Sequence, residues 1–165
     1  MAIATPRTWV VGEVVTAAYL NAEVRDQWLD VLAAWTTYTP TWTATVNPSL
    51  GNGSVVGRYK KLGRLVNFQI DLTMGSTTTY GTGAWGLTLP FTAASSSGSR
   101  VGVAQALGAS RFGGQIIVSP GASGIGAFFP ASSAASNYSS AAAAVPFAWA
   151  ANNELRITGT YESAT

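Results

Sequence analysis

"NPSLGNGSVVGRYKKLGRLVNFQIDLTM", residues 47–74, decides the fold. From Val66 onward apolar side chains take alternate positions (Val66, Phe68, Ile70, Leu72, Met74), while Asn67, Gln69, Asp71 and Thr73 fill the gaps. Side chains of a strand alternate between faces, so this period of two describes an antiparallel strand with one dry and one wet face. Just upstream, "SVVGRYKK" reads as a partner strand. The intervening "LG" predicts a hairpin over 54–74, with Gly63 taking a backbone angle that side chains disfavour. "GNGS" at 51–54 is turn chemistry. It leads into a strand and lacks the Lys and helix that follow a phosphate-binding loop.

Seventeen of the 18 glycines lie after residue 50, and the same alternation recurs downstream. Further strands are predicted in "TWTATV" (41–46), "AWGLTLP" (84–90), "RVGVAQAL" (100–107), "GQIIVSP" (114–120), "GIGAFFP" (124–130), "VPFAWA" (145–150) and "ELRITGTY" (154–161). Pro90, Pro120 and Pro130 each close a strand, as expected of a residue that cannot donate to a ladder. Eight or nine short strands split by Gly, Pro and Ser predict a mainly β domain over 41–165, an antiparallel sandwich of jelly-roll type. "AASSSGS" (93–99) and "ASSAASNYSSAAAA" (131–144) have too little apolar area to offset ordering and read as exposed loops.

Residues 1–40 differ in character. Leu20, Val24, Trp28, Val31 and Trp35 recur at spacings of four, four, three and four, one stripe of an amphipathic helix over about 17–35. Thr16 is the expected N-cap, and the β-branched "TTYTP" with Pro40 ends the pattern. A stripe with two Trp needs a cover, either the β-domain of the same chain or another subunit.

Composition narrows function. The 165-residue chain is 47% hydrophobic but only 10% charged, against about 25% in ordinary soluble domains. Such a surface of Ser, Thr, Asn, Gly and Ala suits secreted and virion β-proteins. There is no Cys and no His, which removes disulfides, thiolate ligands and the commonest general base. Triad chemistry and zinc hydrolysis are not expected, nor is any cofactor. No apolar run reaches the roughly 18 residues of a membrane span. "MAIATPRTW" has none of the zones of a signal peptide, so neither a membrane partner nor a leader is expected.

The net charge of +2 is divided: residues 1–40 carry two basic and four acidic side chains, the remainder seven and three. Arg58, Lys60, Lys61 and Arg64 cluster at the hairpin, either as a solubilising edge or as a surface for an anionic partner. That is too sparse for a nucleic-acid stripe. Asp71 and Glu154 are the only carboxylates that could form a glycosidase pair, and both fit polar strand positions. No short loop collects the carboxylates a Ca²⁺ site requires. Trp42, Trp85 and Trp149 could stack on sugars, though core packing is the usual fate of Trp in a sandwich.

"TWVVGEVVTAAYLNAEVRDQWLDVL" resembles the N-terminal module of minor tail and tail-fibre proteins of actinobacterial phages and prophages. The matching residues are Trp9, Gly12 with Glu13, Thr16 to Ala18, Leu20 with Asn21, and Arg25 with Asp26. The stretch from "YTPTWTATV" to "TTTYGTG" and the closing "NNELRITGTYE" are similar to the β-domain that often follows it; 93–150 has no counterpart. The resemblance implies a non-enzymatic virion protein, a homotrimer whose segment 1–40 docks on other virion proteins while the β-domain meets a host-surface glycan. A capsid-decoration or head-fibre protein could be built the same way, and a carbohydrate-binding module is the reading outside virions.

Overall fold

The computed structural model describes residues 7–95, 98–130 and 137–165. The chain is mainly β. Among the described residues ten strands form one antiparallel sheet: β1 (Thr36–Tyr38), β2 (Trp42–Thr43), β3 (Ser54–Leu62), β4 (Leu65–Thr73), β5 (Gly86–Thr88), β6 (Arg100–Leu107), β7 (Arg111–Val118), β8 (Gly124–Pro130), β9 (Tyr138–Ser140) and β10 (Glu154–Glu162). Their spatial order is β1-β3-β4-β10-β6-β7-β8-β5-β2, with β9 beside β8. The 54–74 hairpin forms as its pattern demands, with Leu62 opposite Leu65 and Gly63 at φ +58°. Val66, Phe68, Ile70 and Leu72 are fully buried and Met74 nearly so. Each such side chain removed from water contributes on the order of 1.5–3 kcal/mol.

The sheet curls into a half-barrel around this dry face. Leu155, Ile157 and Tyr161 of β10, Ala104 and Ala106 of β6, Ile116 and Val118 of β7, and Phe129 of β8 complete the core with Trp42, Trp85 and Trp149. Small inner-face residues let the rings fit. A Cβ on Gly159 would sit 3.0 Å from both the Phe68 ring and Ile116, and one on Gly57 would overlap the Tyr38 ring.

Closure comes from the chain itself. β1 stands at one end of the strand order and β2 at the other, yet only residues 39–41 separate them. The Tyr38 hydroxyl donates to Thr88 O at 3.3 Å, and Thr41 N donates to Thr88 Oγ1 at 2.8 Å. Behind them Phe91 meets the Tyr59 ring edge-on at 5.0 Å, while the Tyr161 hydroxyl donates to Phe91 O at 2.7 Å. Four aromatic residues thus bridge the two ends of the curl.

Several elements differ from the sequence reading. "TWTATV" shortens to β2, because Val46 bonds across to Thr82 in a two-loop clasp instead of continuing a strand. "VPFAWA" is no strand: its Trp149 turns inward and packs at a tilt against Phe147 and Trp85. β1 and β9 are strands that composition hid. The low-complexity segments are only partly exposed, since Ala93, Ala94 and Ala141 are buried, small enough to tuck under the curl; residues 96–97 and 131–136 lie outside the described residues.

Helix forms from Ala17 to Leu32 and not to Trp35. The Thr16 hydroxyl caps it by accepting from Tyr19 N at 3.3 Å. Its middle, Asn21–Arg25, is a π-helical turn between two α-helical pieces, Ala17–Leu20 and Asp26–Leu32. Spacing by four drifts about 40° per step around a regular α-helix, and the wider π turn absorbs part of that drift between Leu20 and Trp28. Ala33 leaves the helix at ψ 150°, which carries the chain into β1 and puts Trp35 beyond the last turn.

Candidate functional site

The helical stripe is uncovered. Exposure runs from 39% at Val31 and 41% at Trp35 through Val24 and Leu20 to 63% at Trp28. No residue of the helix is buried, and the segment makes no extensive contact with any strand. Val10, Val11, Val14, Val15, Leu29 and Leu32 add further exposed apolar surface. Contiguous apolar area on this scale is uncommon on the surface of a monomer.

The segment nevertheless has its own local order. The Arg7 guanidinium lies 4.1 Å from the Tyr19 ring centre and 4.8 Å from that of Trp9, and pairs with Glu13 at 2.5 Å. Its side-chain bond to Tyr19, assisted by Glu13, raises its pKa further against the opposing desolvation, so the cation is permanent. Glu13 also accepts from Val10 N at 3.3 Å across the turn made by Gly12 at φ +84°. Arg25 and Asp26 pair at 2.7 Å. Of the residues noted above for their resemblance, Trp9, Gly12, Glu13 and Thr16 therefore shape the turn and the helix start, and Arg25 and Asp26 pair at its middle. The apolar residues are left facing out.

The basic hairpin is largely turned to internal use. Lys60 Nζ donates to Asp30 O and, at 3.0 Å, to Ala33 O, the last carbonyls of the helix. A cation is well placed there, against the negative helix end. Lys61 donates to Thr165 O at 2.5 Å and sits 4.7 Å over the Phe91 ring. Arg64 pairs with Glu162 at 3.0 Å and donates to Ser163 O. Arg58 points to the outer face, where it shares a hollow of 460 Å³ with Trp35, Val56 and Gln69. The four cations do not converge on one point.

The remaining candidates separate. Asp71 stands opposite Arg156 on the outer face and lines a shallow 340 Å³ hollow with Gln69, Gln105 and Thr158. Glu154 binds Arg156 at 2.6 Å and lies outside that hollow. Trp42, Trp85 and Trp149 are 7%, 3% and 5% exposed, so sugar stacking on them is ruled out. The turn at 51–54 is closed by its own bonds: Asn52 Oδ1 accepts from Thr77 N, and Thr77 Oγ1 accepts from Asn52 N, both at 2.9 Å. Among the described residues no group of three His, Cys, Asp or Glu could hold a metal. Among the same residues no helix is long and apolar enough to cross a membrane. Burial raises the Tyr38 phenol well above its usual value and pushes Tyr161 up to about 12.

Comparison with protein-family models, curated proteins and solved structures found no match.

Proposed function

We propose that this chain is a virion structural protein of the tail-fibre or minor-tail kind. Three copies associate through the N-terminal segment, which also docks on other virion proteins, and the β-domains face the host surface. The observation that carries the reading is the stripe of Leu20, Val24, Trp28, Val31 and Trp35, which the chain's own domain leaves at least 39% exposed. A stripe this apolar is stable in water only when another surface covers it. The resemblance of the 8–32 segment to phage docking modules names the setting, and the charge-poor surface fits a particle exposed outside cells. Attachment in this scheme is multivalent: weak contacts from several β-domains add through effective concentration.

The test is immunogold labelling of the phage particle with antibody against residues 41–165. Label on the tail supports the reading; label on the head favours the decoration or head-fibre role. Its absence from purified particles overturns both and favours a free carbohydrate-binding module.

A further inference from the structure

Apolar surface is left uncovered elsewhere than on the stripe. On the outer face of the sheet, Val101 and Val103 of β6 are 66% and 60% exposed. Register places Val101 opposite Ile117, and Val103 opposite Gln115, which in turn faces Phe128 of β8. Gly113 and Gly126, also on this face, keep the patch flat. The neighbouring strands β4 and β10 present Asn67, Gln69, Arg156, Thr158 and Thr160 to the same side, so the apolar character is confined to β6–β8.

Size and charge match the patch to the helix. Three strands at about 4.8 Å spacing span roughly 10 Å, the width of a helix with its side chains, and eight residues of strand run about 27 Å. The helical segment, 16 residues from Ala17 to Leu32, is about 24 Å long. Segment 1–40 carries four acids against two bases, including Glu23 and Asp26 on the helix, whereas residues 41–165 carry seven bases against three acids. Arg111, opposite Leu107, puts a cation on this face at one end of the β6–β7 ribbon, whereas Arg100 pairs with buried Val118 and belongs to the other face. Within its own chain the helix is tied by Lys60 to β3, with β4 and β10 between it and β6.

We infer that the helix of one copy lies across the β6–β8 outer face of the next. This rests on the association of copies proposed above and names the surface that covers the stripe. The contact is head-to-tail, so it closes into a ring when the rotation between copies permits and otherwise grows as a filament. Pairing of Arg111 with an acid of the helix fixes orientation more than it adds affinity. Each copy covers both stripe and patch in this arrangement; a bundle of helices alone leaves Val101 and Val103 in water.

The chain has no Cys, so introduced thiols report cleanly. Tagged full-length Val24→Cys is co-expressed with untagged full-length Val103→Cys and treated with a short bismaleimide. The expected product joins one tagged to one untagged chain. A second variant, Val103→Glu, alters an exposed outer position and is expected to abolish the oligomer while leaving the circular dichroism of the β-domain intact. An oligomer in which Val24→Cys chains join only each other, or one unchanged by Val103→Glu, overturns the inference and leaves the proposed function standing. A monomeric full-length chain overturns the association of copies together with the inference.

Discussion

Removing the Tyr38 ring tests how the half-barrel is held shut. Tyr38 covers the bare backbone of Gly57, meets Tyr59 edge-on at 5.9 Å and 65°, and bonds Thr88 O at 3.3 Å. The bond is longer than the usual O–H···O range, so it contributes about 0.5 kcal/mol. The edge-to-face pair contributes about 0.5–1.5 kcal/mol. Truncating a fully buried aromatic ring costs about 3–5 kcal/mol all told, and this ring is only partly buried. Tyr38→Ala is therefore expected to cost about 2–3 kcal/mol, which in a chain of this size lowers Tm by roughly 4–12 °C. Tyr38→Phe keeps the ring and is expected to cost about 0.5 kcal/mol. Thermal and urea unfolding by circular dichroism, at one protein concentration so that the proposed association of copies is held constant, measures both. A Tyr38→Ala chain within 0.5 kcal/mol of the parent refutes closure by the aromatic bridge.

Other consequences are open to direct measurement. Lys60→Ala removes the cation from Asp30 O and Ala33 O, so it should fray the last helical turn and cost about 0.5–1.5 kcal/mol locally; hydrogen exchange should quicken at residues 28–33 and not in β4. Gly159→Val forces a branched side chain against Phe68 and Ile116, and by overpacking should cost about 1–3 kcal/mol in urea unfolding; no loss of stability contradicts the core packing described. The alkaline limb has a definite sign. Burial lifts Tyr161 to about 12 from the ordinary phenol value near 10. The folded state thus favours the neutral phenol, its stabilisation is complete below about pH 10, and stability declines as pH rises from 10 through 12. Tyr161→Phe should flatten that decline. Removing residues 1–33 keeps β1 and Tyr38, and is expected to leave a folded domain that no longer associates.

The hairpin was legible because burial on one face imposes a period of two, and every apolar residue from Val66 to Met74 follows it into the core. β6 and β8 were legible to the residue from the Gly, Ser and Pro that bound them. What stayed hidden depends on partners distant in sequence. β1 is three polar or aromatic residues that become a strand only because β3 offers an open edge, and β9 lies in an Ala/Ser run with no pattern of its own. The Trp residues of the β-domain could be assigned to core on packing grounds, but "VPFAWA" imitated a strand because its apolar residues pack inward without a ladder. In the candidate site, the stripe was readable from spacing, whereas its lack of cover was not. Nor could spacing show that Lys60, Lys61 and Arg64 are turned to carbonyls and a carboxylate of their own chain. The β6–β8 patch left a trace in the sequence, since Val101 and Val103 share one face with Ile117 and Phe128, but only register assembles it.

If the uncovered helix is a contact between copies, the mass of the intact chain in solution reports it. Size-exclusion chromatography with light scattering is predicted to give three times the 17.0 kDa of one chain, falling to a single chain's mass when residues 1–33 are removed. A mass of 17.0 kDa for the intact chain at micromolar concentration would contradict it.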